Sequence, residues 1–118
     1  MQRDARAFLW DMQEAAALVA QFIAGKSFDA YSADVMLRSA VERQLQNLGE
    51  ALVQLNKVDK TLAQRIPDCN KIIAFRNVLV HGYTEVKQDR LWDSAQAGLP
   101  KLQQTVASLL AELGPPGP

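Results

Sequence analysis

VERQLQNLGEALVQLN, residues 41–56, places Val41, Leu45, Leu48, Leu52 and Leu55 at alternating steps of four and three, with Glu42, Arg43, Gln46 and Gln54 mostly off that line. This spacing is one face of an α-helix. Gly49 lies in the middle of it. A glycine inside a helix costs about 1 kcal/mol against alanine, so its presence predicts that another helix packs closely there. The helix is predicted from about Tyr31 to Asn56, about 35–40 Å long at a rise of 1.5 Å per residue.

The same periodicity extends in both directions. Upstream, Phe8, Met12, Ala15, Val19 and Phe22 form a stripe from about Asp4 to Ala24, which Gly25 ends. KSFDAYS, residues 26–32, reads as a connector. Downstream, a short helical piece at about Asp59–Gln64 is closed by Pro67. A third long segment starts near Asp68, with Asp68 or Asn70 as candidate cap, and stops at Gly82, which is predicted to turn left-handed. The last segment runs from about Gln88 to Leu113 on Leu91, Ala95, Leu99, Leu102, Val106, Leu109 and Leu113. Pro100 lies inside it and predicts a kink or short break near Ala97–Leu99. No strand pattern and no internal repeat is visible. The prediction is all-α: an antiparallel bundle of four long helices plus one short helix, in one domain of residues 1–113, with a disordered Gly/Pro tail at 114–118. Trp10 and Trp92 fall on or next to the stripes and read as core or interface anchors.

Bulk properties narrow the function. The 118 residues fit one domain, and 48% are hydrophobic, enough for a core without disulfides or metal. The single cysteine, Cys69, has no second ligand nearby, so neither an intrachain disulfide nor a metal site is expected; this suits a reducing cytoplasm. No apolar run is long enough for a signal peptide or membrane span. Thirteen basic residues balance thirteen acidic ones. A protein that holds nucleic acid mainly by its field carries a basic excess. Any RNA contact here must be local, or made by two copies of the chain together.

The chemistry is concentrated in RNVLVHGY, residues 76–83. His81 is the only histidine, and histidine is the side chain whose unperturbed pKa, about 6.5, allows proton transfer near neutral pH. Arg76 brings a planar fork of donors that matches phosphate oxygens. Residues five apart lie roughly 140° apart around a helix, whereas Asn77 and His81, four apart, share a face. Spacing alone leaves two readings open: a reactive pair, or a helix-end cap and a surface charge. Glu50 is likewise either a residue that orients Arg76 or His81 across the bundle, or a solvated or dimer-rim charge.

At this motif the chain resembles the HEPN superfamily, whose signature is Arg, four to six residues, then His. It is most similar to the HepT toxins with their R-x-x-x-x-H-x-Y, matched by Arg76, His81 and Tyr83. The likeness extends to SFDAYSAD (27–34), AVERQLQNLGEAL (40–52), Ile66-Pro67, Leu91-Trp92 and Leu99-Pro100. The resemblance implies a homodimer whose two motifs form one RNA-cleaving cleft, with Arg76 and His81 catalytic, Asn77 and Glu50 supporting, and no metal or cofactor in the chain itself. It also implies a type VII-like toxin–antitoxin pair, in which a minimal nucleotidyltransferase antitoxin transfers AMP to Tyr83, the ATP and Mg²⁺ belonging to that partner. Two other readings remain at this point: a non-catalytic nucleotide-binding or regulatory companion of a nucleotidyltransferase, and a purely structural helical dimer.

Overall fold

The computed structural model describes residues 4–82, 84 and 86–114. Regular structure among them is helical, its α-helices being α1 (Ala5–Ile23), α2 (Phe28–Ala33), α3 (Val35–Val58), α4 (Lys60–Ala63), α5 (Cys69–His81) and α6 (Gln88–Leu113). The 26 residues of α6 span about 39 Å at the helical rise, close to the 42 Å long axis of the molecule.

Side-chain caps explain where several helices begin. Asp4 accepts from Arg6 N at 2.8 Å, Ser27 from Ala30 N at 3.1 Å, Asp34 from Leu37 N at 3.0 Å and Asp59 from Leu62 N at 3.0 Å. Each bond satisfies one of the N–H groups that a helix start leaves without an intrahelical acceptor. Asp34 corrects the sequence reading. The helix predicted to run without interruption from Tyr31 is divided there, because Asp34 closes α2 through its backbone N–H to Tyr31 O and opens α3 through its carboxylate. The predicted connector thereby contains a sixth helix, α2.

Three further expectations change. Pro100 leaves α6 unbroken. Its missing N–H would have met the carbonyl of Gln96, and both residues lie on the exposed face, where water can satisfy the freed carbonyl. Gly82 has φ −122° and closes α5 by donating to Val78 O at 2.8 Å, with no left-handed turn. Asp68 does precede α5, but at φ 57° and without a side-chain cap bond, while Asn70 lies within the helix. Gly25 behaves as predicted, at φ +71° after α1.

The stripes read from the sequence form the core. Phe8, Met12, Ala15 and Val19 of α1, Val41, Leu48, Leu52 and Leu55 of α3, and Leu91 through Leu109 of α6 are buried, whereas Leu113 is exposed. α1 packs on both α3 and α6, and α3 also carries α5 and α4. Trp92 is buried against Tyr31, with ring centroids 5.0 Å apart, and against Phe28 at 6.2 Å. Trp10 is 48% exposed and is no part of the core of the single chain. The fully buried Tyr31 hydroxyl donates to Gln88 Oε1 at 2.5 Å, and Gln88 Nε2 donates to Glu42 Oε2 at 2.7 Å, tying α2, α6 and α3 together.

Replacing Asp34 by Ala should cost about 1 kcal/mol in chemical denaturation, the usual worth of such a cap. Burial, reinforced by the nearby Glu42 carboxylate, pushes the Tyr31 phenol from 10.0 up to about 12. Between those values the unfolded chain releases the proton and the folded chain keeps it, so stability must fall as pH rises through that window. Tyr31→Phe should flatten this alkaline limb of the denaturation profile; an unchanged limb would refute the assignment.

Candidate functional site

α5 carries the chemistry and is the least enclosed long helix. Its principal packing partner is α3, and of its thirteen residues only Cys69 and Leu79 are buried. It approaches α3 at Gly49. A Cβ placed on Gly49 would overlap Arg76 Cβ and lie 2.8 Å from its Cγ and 3.6 Å from its Cα. The close helix contact predicted from the sequence is therefore present, and the side chain filling the glycine's space is Arg76.

From that contact the Arg76 side chain runs along α3 to Glu50. Its Nη2 donates to Glu50 Oε2 as an ion pair, and its Nη1 donates to Asn77 Oδ1 at 2.8 Å. Gln54, one turn further along α3, donates Nε2 to Glu50 Oε1 at 3.0 Å. One carboxylate oxygen is thus held by Gln54 and the other by Arg76. These two hydrogen bonds, Gln54's the stronger influence, hold the Glu50 carboxyl below its ordinary pKa. Arg76 Nε is buried and has no acceptor among the described residues. The pair is partly exposed, with 44% of the Glu50 side chain open to solvent. Ion pairs this accessible add little stability, so the main effect here is to fix the direction of the guanidinium.

Arg76, Asn77 and Glu50, all singled out in the sequence, meet in one cluster. His81 does not join it. As the last residue of α5 it is exposed, about 140° around the helix axis from Arg76. Tyr83 lies outside the described residues. Gln54 was missed by sequence reasoning, although a Glu–Gln pair at i, i+4 on one helix is a readable signal. Cys69 is buried, which pushes its thiol pKa up, and among the described residues no three His, Cys, Asp or Glu side chains are placed to hold a metal ion. No helix among the described residues is long and apolar enough to cross a membrane.

Between α5 and α6 lies a groove of about 460 Å³, with Leu45 and Leu48 of α3, Ile72 and Phe75 of α5, and Leu99 and Leu102 of α6 among its mostly apolar walls. Phe75 is the immediate neighbour of Arg76.

Comparison with known proteins gives a family match and several relatives. The family described as Ribonuclease HepT-like matches residues 12–109. A protein of Methanocaldococcus jannaschii, whose name gives RNase as its inferred activity, is 30% identical over 105 residues, covering 89% of this chain and 95% of its own. A probable ribonuclease HepT of Thermococcus cleftensis is 29% identical over 103 residues, covering 87% and 93%. A Caldanaerobacter subterraneus protein, also named as an inferred RNase, is 28% identical over 88 residues, covering 75% and 78%. No solved structure matches the chain.

Because the folded-state pKa of Glu50 is depressed, its contribution to stability is present above the ordinary carboxylate range and is lost as pH falls through the lowered value. Denaturation of wild type and Glu50→Gln across pH should therefore differ at neutral pH and converge in acid. A difference that persists unchanged into acid would contradict the geometry.

Proposed function

The chain belongs to the HepT-like ribonuclease family, and from that premise we propose that it is a metal-independent endoribonuclease toxin that acts as a homodimer. The observation that carries this reading is the Arg76 cluster: a guanidinium aimed by Glu50 and Asn77, on the helix whose last residue is an exposed imidazole.

The reaction is transesterification within RNA. The ribose 2′-oxygen attacks the adjacent phosphorus, an O2′–P bond forms and the P–O5′ bond breaks. The 2′-hydroxyl proton is taken up by an imidazole and a proton is delivered to the leaving 5′-oxygen, giving a cyclic phosphate and a free 5′-hydroxyl. His81 is the proton-transfer group. Arg76 balances the charge that grows on the phosphoryl oxygens. Asn77 and Glu50 hold Arg76 in place.

Two features favour a dimeric site. Arg76 and His81 leave α5 about 140° apart around its axis, which suits two groups that reach one phosphate from different chains. The apolar groove beside α5 and the half-buried Ile72 and Phe75 offer a face that a second copy would cover. In the dimer, Arg76 of one chain works with His81 of the other. The regulatory partner is a minimal nucleotidyltransferase that adds AMP to Tyr83, two residues from His81. The added phosphate brings negative charge to the place where the substrate phosphate would sit. The zero net charge favours one alternative, a nucleotide-binding companion subunit that cuts no RNA.

Purified protein should cleave RNA with undiminished rate in EDTA, and Arg76→Ala and His81→Ala should each lower kcat by about 100-fold or more. Mixing the two inactive variants should restore part of the activity, because the mixed dimer keeps one Arg76 and one His81 on opposite chains. Cleavage lost in EDTA or unchanged in His81→Ala would sink the mechanism. Wild-type protein that binds AMP yet leaves varied RNAs intact would establish the companion reading instead.

A further inference from the structure

We infer that Gly49 is a positioning residue: by lacking a side chain it lets the stem of Arg76 sink against α3, which fixes how far the guanidinium projects and which of its N–H groups face a phosphate. The inference rests on the reading of Arg76 as a phosphate-contacting residue.

The stem of Arg76 occupies the volume a Cβ on Gly49 would need, and the clash would be with Cβ and Cγ, the part of the side chain least able to move independently of α5. Sinking the stem buries Nε. Glu50 and Asn77 then each take one N–H, from Nη2 and Nη1. An arginine has five N–H donors, one on Nε and two on each Nη. With Nε buried and two donors engaged, one N–H remains on each Nη. The residue therefore meets a phosphate through what remains on Nη1 and Nη2, and the side-on fork that uses Nε is closed to it. Gln54 completes the device by holding the other oxygen of Glu50.

The other glycine within a long helix supplies the control. Gly98 on α6 has no atom within 4 Å of where its Cβ would stand. Gly49→Ala and Gly98→Ala make the same chemical change with the same gain in helix propensity, and differ in what the new methyl meets. Two readouts apply to the full-length protein: kcat and KM for RNA cleavage, and hydrogen exchange of the Arg76 Nε–H by ¹H–¹⁵N spectroscopy. Gly98→Ala should leave the Nε–H exchange unchanged; it is a control for exchange and not for kcat, because Gly98 lines the groove that a second copy would cover. Gly49→Ala should expose Nε, speeding its exchange, and lower kcat by about 100-fold, the usual cost of misplacing a catalytic group by about 1 Å, with a much smaller change in KM. A Gly49→Ala protein with a protected Nε–H and full kcat overturns the inference. If Gly49→Ala does not fold, the double variant Gly49→Ala/Arg76→Gly, which moves the glycine from α3 to α5, should restore folding; failure to restore it overturns the inference as well. If wild type cleaves no RNA, the functional reading falls, while the exchange measurement still decides whether Gly49 sets the position of Arg76.

Discussion

The close approach of α5 to α3 at Gly49 is the constraint on which the site depends. α3 is the spine of the molecule: α1, α4 and α5 all pack against it, and its Val41, Leu48, Leu52 and Leu55 are buried. A core of stripes at steps of four and three would hold α1, α3 and α6 together whatever α5 carried. α5 is different. Only its Cys69 and Leu79 are buried, with Ile72, Ile73 and Phe75 half-buried against the core, so its register on α3 also depends on one backbone-to-side-chain fit. The cost of a glycine in α3, about 1 kcal/mol, is the cost of that fit. What it provides is an arginine whose stem is rigid and whose head is aimed.

The electrostatics of the chain match such a site. With no basic excess, RNA is not gathered by a long-range field, and the one arginine assigned to the phosphate already faces a carboxylate. Glu50 neutralises part of its charge and competes with the phosphate for Nη2. That arrangement weakens binding of the resting substrate. On the proposed mechanism it would not weaken the transition state to the same degree, because the charge building on the phosphoryl oxygens draws more strongly on the remaining Nη N–H groups than the ground-state phosphodiester does. A guanidinium held in advance by Glu50 and Asn77 also has less freedom to lose when the phosphate arrives. For a proposed toxin that must be silenced by a partner, low ground-state affinity together with a well-aimed catalytic group is a coherent combination.

Much of this was legible in the sequence, and the misses have physical reasons. Periodicity located the long helices because burial of one face is what stabilises them, and Val41, Leu48, Leu52 and Leu55 are buried as the spacing required. Gly49 announced a close contact because its propensity cost needs a compensating reason. Periodicity could not find α2 or the break at Asp34, since a six-residue helix has too few turns to show a stripe and the aspartate's role is local hydrogen bonding. The left-handed turn assigned to Gly82 failed because a glycine after a helix permits that conformation without requiring it. At the site, residue types pointed to Arg76, Asn77 and Glu50, but that they form one cluster depends on the α3–α5 register, which no single-helix pattern contains. Gln54 was overlooked although it shares α3 with Glu50, because its significance lies in the carboxylate it steadies.

Helix geometry carries the last step. A regular α5 turns about 140° between residues 76 and 81, and the helix remains regular up to His81. The stem of Arg76 is set against α3 at Gly49, so Arg76 and His81 leave the helix in different directions. In the proposed dimer a second chain would bring the two groups together, a two-fold axis beside α5 presenting one chain's imidazole to the other's guanidinium. The same reasoning explains why α5 is left with half-buried apolar residues and a groove at its flank. A helix fully enclosed by its own chain would have no face to offer a partner copy.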